Sequence, residues 1–401
     1  HLAQYEHWCI GHVNSKGEVT RWSSSDFGTD YGVKTSVFEE DVPPYINSIS
    51  AFEDGRMLVS GMFSAFEVYN PKNGGLYDLA DRVYVNNIMV LRSNAHPDTT
   101  QQYIFEDAGT ESNGTPIRYS FSKLNGGSLQ PIVRSFVTSA QKIVAVGNLT
   151  QYVCNEYASS YVDSKQRISS VASAFRMDDC GVLDSTYRLV DRTGRYSGAG
   201  GGNITDACMD KDDGVVLVGS FTSFDGVPAP GMVRLDADGN VDHAFLENLG
   251  TGPDGNVTMV RYNKALNKMM VVGGFEHVNG QPRQQMAMLN PDGTLDGTFV
   301  PREIGGGAVN FAQLIDKEKV IVSGTFSTYG GVPRLGFLIL EMDGTAQQKF
   351  NVPGTFNGQL YHVAETETTL GSYGLLLMGS FDRFNGQKAN NVLMLEVNLE
   401  H

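Results

Sequence analysis

Tryptophan occurs only twice and cysteine only four times among 401 residues. Cys9, Cys154, Cys180 and Cys208 form no CxxC pair, which removes zinc-ribbon and thioredoxin-type readings. Three disulfide pairings are open to four cysteines, and their positions do not choose among them; buried free thiols are the simpler reading. No apolar run approaches the roughly 18 residues that a membrane-spanning helix needs. Basic residues are also short. Against 45 Asp and Glu stand 30 Lys and Arg, a net charge of −15 that argues against nucleic acid or anionic lipid on a basic face. With 19% charged and 41% hydrophobic residues the chain is not of the disordered type. The HExxH, GxSxG and Walker A patterns are missing, and no stretch has the periodicity of an amphipathic helix.

What is abundant is glycine, 46 residues without the three-residue period of collagen. Many belong to an internal repeat. Val215-Val216-Leu217-Val218-Gly219-Ser220-Phe221 aligns with Met269 to Phe275, Val320 to Phe326 and Leu375 to Phe381, with an earlier copy at Met57 to Phe63 and a degenerate one at Ile143 to Leu149. Each is a short apolar run ending at a glycine, the pattern of a buried strand. A second element follows three of them: Asp238-Gly239, Asp292-Gly293 and Asp343-Gly344, each between apolar stretches, read as hairpin turns. Looser turns are expected at Lys16-Gly17, Gly126-Gly127 and Cys180-Gly181. The anchor glycines 61, 147, 219, 273, 324 and 379 approach a period of about 50 residues, which fits a four-stranded propeller blade. The sequence therefore predicts an all-β fold, a β-propeller of six blades, with seven as the alternative because the first and last segments leave ring closure open.

The pattern V-x-V-G-G-x-F-x-x-[FY]-x-G, then R-x-L-[DN]-x-D-G-x-[LV]-D-x-x-F, runs from Val216 to Gly226 and Arg234 to Phe245 and recurs at Val271 to Gly280 and Leu289 to Phe299. It resembles the bacterial delta-60 repeat β-propellers, specifically over 175–397 and in diluted form over 1–174. The resemblance implies an extracytoplasmic protein, either a cell-surface outer-membrane lipoprotein or a secreted one. Some members of that family lie beside SusC/SusD-type nutrient importers. It carries no catalytic motif. Residues 1–398 read as a single domain, and Leu399-Glu400-His401 as the start of a cloning scar and histidine tag.

In three repeats the turn glycine follows the anchor glycine by 20 residues (219 to 239, 273 to 293, 324 to 344), but the gaps from 61 to 126 and from 147 to 181 are wider. This predicts insertions at about 64–116 and 149–174, both between strands b and c. The first is expected to hold a hairpin of Val83 to Leu91 with Gln101 to Glu106. These b–c connections share one end of the blades with glycine-rich links such as Gly198–Gly202, Gly250–Gly255, Gly305–Gly307 and Gly354–Gly358. Long insertions often carry function. Tyr69, Tyr77 and Tyr84 in the first, and Tyr152, Tyr157 and Tyr161 in the second, are the candidate contacts for a ligand or partner. The plainer alternative is that they pack the insertions onto the sheets.

Other motifs are weaker. Gly250-Thr251-Gly252-Pro253-Asp254-Gly255 matches GxGxxG, but a strand (Val257 to Arg261) follows where a dinucleotide site needs a helix. Asp236, Asp238, Asn240 and Asp242 have the alternate spacing of a calcium loop, although an Asp-Gly turn explains them; no other cofactor or metal is expected. Ser24 to Tyr31 resembles the Asp-box turn of sialidase-type propellers, a structural turn even there. His7, Cys9 and His12 lie close in sequence without facing one way. The reading is a non-catalytic, surface-exposed binding module for a glycan, a peptide or other uptake proteins. The alternatives are a polysaccharide lyase or glycosidase using carboxylates at the axial mouth, and a purely structural spacer.

Overall fold

The computed structural model describes residues 6–8, 30–34, 43–67, 82–104, 117–157, 165–191, 193–348, 355–368 and 371–397. The turn expected at Lys16-Gly17 lies outside them, as do Cys9, His12 and Ser24–Thr29. A run such as Val215-Val216-Leu217-Val218 is too apolar to leave either face wet, and it is buried throughout as the middle of three antiparallel strands. Six such sheets occur among the described residues. Their strands a, b and c are Tyr45–Ala51, Met57–Met62 and Ile88–Leu91; Arg134–Val137, Ile143–Val146 and Ala174–Met177; and Ile204–Met209, Val215–Gly219 and Met232–Leu235. The later three are Val257–Asn263, Lys268–Gly273 and Met286–Leu289; Val309–Ile315, Lys319–Gly324 and Phe337–Glu341; and Phe356–Glu367, Tyr373–Phe384 and Val392–Glu396. In the first five, a turn after strand c returns the chain to one further bridge, such as Leu235 with Val241. This is the blade topology of an all-β propeller fold. Two compact units divide it: the first holds repeats one and two, and the second, from Ala199 onward, holds repeats three to six.

The anchor glycines have a steric cause. In five repeats strand a carries a bulge opposite them, as where the register passes from Ile204 opposite Gly219 to Asp206 opposite Val218. The bulge drives a carbonyl onto the glycine, and a Cβ on Gly219 would overlap the oxygen of Asn203. Strand c is then locked by the residue just before it. Asn87, Ser173, Gly231, Gln285, Gly336 and Asn391, at φ from 63° to 81°, each accept a hydrogen bond from the anchor glycine N–H. Each donates its own N–H to the carbonyl two residues past that glycine, as Gly231 does to Phe221.

The turns after strand c match expectation at Cys180-Gly181, Gly239, Gly293 and Gly344, and correct it in the first repeat. There Arg92 N–H bonds His96 O and Ala95 N–H bonds Arg92 O, the same pair that Asp236 and Gly239 make. Ala95 (φ 60°) stands where glycine was expected, so a glycine-based search passes over this turn. Gly126-Gly127 is not that turn: Gly127 bridges Val153. Consequently the stretch expected as one insertion, 64–116, contains strand c itself (Ile88–Leu91). The hairpin after it pairs Thr99–Ile104 with Ile117–Ser122. The second insertion holds the hairpin Gln151–Glu156 with Lys165–Ser170. The sequence also missed the helix His243–Leu249, whose N-cap Asp242 accepts from Phe245 N–H.

Within the second unit, strands a of successive repeats pack in order and are stitched by side chains. The Asp206 carboxylate, nearly buried, takes Arg261 at 2.5 Å and Val260 N–H at 3.1 Å in the next repeat. Asn263 reaches Leu314 O, and Gln313 makes a two-way pair with the Val363 backbone. In the first unit Ser48 and Ser50 both donate to Ser135 O.

Candidate functional site

At one end of each sheet in the second unit, the chain between strands b and c turns through a tight hairpin. Asp225-Gly226, Asn279-Gly280, Gly330-Gly331 and Asn385-Gly386 all have two positive φ values, the geometry of a type I′ turn. Each hairpin pairs with the chain leading into strand a of its own repeat, Ala199-Gly200 with Phe224 and Ser223, Pro253 with Val278 and Ile304-Gly305 with Tyr329 and Thr328, or in repeat six with the first residues of strand a, Phe356-Asn357 with Phe384 and Arg383. Loop and link are therefore a small sheet held by backbone bonds, and side chains at their tips vary on a constant frame.

This frame accounts for GxGxxG without a nucleotide. Gly250 caps the helix His243–Leu249 by bonding Leu246 O, Gly252 takes φ 65°, and Gly255 lies against the Gly274 carbonyl. Asp254 in the same link accepts hydrogen bonds from the backbone N–H of Glu276 and His277 and lies 2.8 Å from His277 Nδ1. The His277 bonds, backbone first, hold its carboxyl down at about 2. The His277 imidazole is half-exposed beside it. Tyr361 in repeat six occupies the bulge of strand a and is 56% exposed. The sequence reading passed over it, although its place just after the Gly354–Gly358 link could have drawn attention to it.

The calcium-like set is spent on structure. Asp236 Oδ1 accepts from the N–H groups of Asp238 and Asn240, and Asp242 caps the helix while pairing with Arg234 at 2.7 Å. Arg234 also holds Asp210 at 2.7 Å. Elsewhere Lys268 meets Asp296 at 2.7 Å, and Arg176 meets Asp184 at 2.9 Å. Against the cost of burial, Thr186 and then Arg176 hold the Asp184 carboxyl below the usual range, and Lys268 with Thr298 does the same for Asp296. Asp178, Asp179 and Cys180 lie close enough to share a cation, but Asp178 caps its own turn and Asp179 binds Arg56. Of the cysteines, Cys208 is buried, Cys154 half-buried and Cys180 exposed, all free thiols.

Among the candidate tyrosines, Tyr69, Tyr77 and Tyr161 lie outside the described residues. Tyr152 is 3% exposed, sets its ring edge against Phe175 at 5.2 Å, and donates its hydroxyl to Gly181 O. Tyr157 packs 4.2 Å from Phe121 and takes a bond from Asn155, and burial pushes its phenol up to about 12. Tyr84 packs half-buried on the cluster of Tyr119 and Phe121. Tyr84 and Tyr157 thus join Tyr119 and Phe121 in one small apolar group, while Tyr152 packs into the core of the second repeat. His243 and His277 stand in unrelated surroundings, at a helix start and in a loop.

Two stretches, residues 211–245 and 267–299, match the family model described as a domain of unknown function (DUF5122) beta-propeller. Both run from the a–b turn to the aromatic that closes the next segment. Among solved structures, the chain is similar to the WD40 beta propeller domain of Doa1, at 10% identity and TM-score 0.41 over 87% of this chain and 77% of that one. It is also similar to YCF48 bound to D1 peptide, at 12% identity and TM-score 0.41 over 88% and 93%. A protein from Lactobacillus plantarum matches at 10% identity and TM-score 0.35 over 88% of both chains. No curated protein matches. No helix among the described residues is long and apolar enough to cross a membrane.

Proposed function

We propose that the protein is a non-catalytic binding module of the delta-60 repeat kind, a six-bladed propeller at the cell surface or secreted, that holds a glycan, a peptide or an uptake-system partner. The observation that carries this is the loop end of the second unit. Backbone-paired hairpins and links repeat there four times, while their tips offer different chemistry, with the His277 and Asp254 pair in one repeat and exposed Tyr361 in another. A rigid frame with variable tips suits recognition, because little ordering is needed on binding. In this reading the outer hairpins, Thr99–Ile104 with Ile117–Ser122 and Gln151–Glu156 with Lys165–Ser170, offer a second contact surface to which Tyr152 and Tyr157, packed inside, do not contribute. Among the described residues, the carboxylates whose acidity departs from the ordinary, such as Asp184, Asp254 and Asp296, are held more acidic. The test is a glycan and peptide array probed with the full chain. Binding should weaken in Tyr361→Ala or His277→Ala while the melting temperature holds. Turnover of any glycan on the panel would sink the reading.

A further inference from the structure

Acidic residues outnumber basic ones in this chain by 45 to 30, so a cation left without a carboxylate calls for a reason. On strands a to c of repeats three to five every lysine and arginine meets one: Arg234 with Asp210, Arg261 with Asp206, Lys268 with Asp296 and Lys319 with Glu341. The loop end of repeats five and six departs from this. Arg302 in the link, Arg334 just after the hairpin of repeat five, and Arg383 and Lys388 in the hairpin of repeat six form no ion pair among the described residues. Arg334 bonds only the Pro333 carbonyl, and its buried Nε has no hydrogen-bond partner. Arg383 and Lys388 stand directly opposite each other in the ladder, and both are exposed. Like charges so placed destabilise a hairpin. Their sequence neighbours Glu303 and Asp382 do not pair with them. The same end carries two exposed aliphatic side chains, Val332 at 48% and Leu335 at 38%. Leu335 O accepts from Phe356 N–H, and Phe337 meets Phe384 edge-on at 5.1 Å, so the two hairpins adjoin.

We infer that the adjoining hairpins of repeats five and six dock an acidic peptide segment, one with aliphatic residues between its carboxylates. Charge complementarity specifies the acid: four unpaired cations on a protein of net charge −15 are a local exception that a carboxylate-bearing partner relieves. The repulsion between Arg383 and Lys388 ends when one carboxylate lies between them. The aliphatic part follows from Val332 and Leu335, which suit peptide side chains, whereas a sugar ring stacks on aromatic faces. A long polyanion would meet the repulsion of the whole protein. A short segment does not, because screening limits each charge to about 8 Å at physiological ionic strength. This deepens the binding reading and rests on it.

The probe is a fluorescein-labelled peptide of glutamate, leucine and glycine, titrated into the full chain and followed by anisotropy. Saturable binding is expected, weakening as salt is raised. Glutamine in place of the glutamates should weaken it about tenfold or more, and so should Arg302→Glu combined with Lys388→Glu. Lys388→Glu alone should raise the melting temperature while weakening binding, because it turns a repulsive cross-strand pair into an attractive one. A lysine kept for the fold alone would show the reverse. Absence of saturable binding, binding indifferent to the double reversal, or equal binding of the glutamine peptide overturns the inference. So does tighter binding to polygalacturonate or to phosphatidylglycerol vesicles, which would assign the cations to a glycan or a lipid. Array binding lost in Tyr361→Ala but kept in the double reversal also overturns it, and leaves the loop-end reading standing.

Discussion

Adjacent glycines in repeat four do different work. A Cβ on Gly273 would overlap the Asn256 carbonyl, whereas one on Gly274 would meet nothing within 4 Å. Gly273→Ala should therefore cost about 2 kcal/mol or more, as overpacking does. Gly274→Ala should stay within about 0.5 kcal/mol. Urea unfolding of both variants decides the point, and equal losses would refute the bulge argument. The Asp206–Arg261 pair is a second case. Asp206→Ala leaves a half-buried guanidinium without its carboxylate and also strips Val260 N–H of its acceptor. A loss of about 3 kcal/mol is expected, partly recovered when Arg261→Ala is added.

Among elements, the type I′ hairpins can be tested chiefly by conformation, since the side chain of Asn279 makes only long hydrogen bonds, at 3.4 and 3.5 Å, to Thr251. Asn279 at φ 50° precedes Gly280 at φ 71°. Asn279→Gly should leave stability nearly unchanged, while the β-branched Asn279→Val should cost about 1–2 kcal/mol in thermal unfolding. Strands b of all six repeats were legible in the sequence because apolar runs ending at glycine have one cheap use, a buried strand beside a bulge. The Asp-Gly turns were legible for the same local reason. The lock residues were not: Asn87, Ser173, Gln285 and Gly336 share a backbone angle but no side-chain type. Ala95 hid its turn, and the helix His243–Leu249 was too short to show a period. For the site, the glycine links could be read from the sequence. The His277–Asp254 pairing could not, since it depends on a hairpin bringing residues 23 positions apart together.

For the molecule as a whole, the paired aspartates set the response to acid. Asp184, Asp254 and Asp296 have folded-state pKa values below their ordinary ones, that of Asp254 at about 2. A depressed carboxyl stabilises the fold above its unfolded value, about 3.9, and that contribution is lost as pH falls through the folded value. The melting temperature should hold near neutral pH and fall between about pH 4 and pH 2. In Asp296→Asn the protein should start lower at pH 7 and lose less over that window. An unchanged acid profile would show that Asp296 is not among the groups responsible.

The lock at the start of strand c also sets what the chain can host. Phe221 and Gly231 clasp a short connection, and Phe63 and Asn87 clasp a longer one with the same pair of backbone bonds. The clasp is the same whatever the length between, although residues next to it, such as Phe66 and Val83 in the first repeat and Tyr152 in the second, also pack on the sheet. Closing a longer loop costs slowly, about 0.6 kcal/mol per doubling. Each repeat thus carries a graft point where sequence beyond those packed residues can be exchanged while the blade keeps its frame, and the first two repeats have already used theirs.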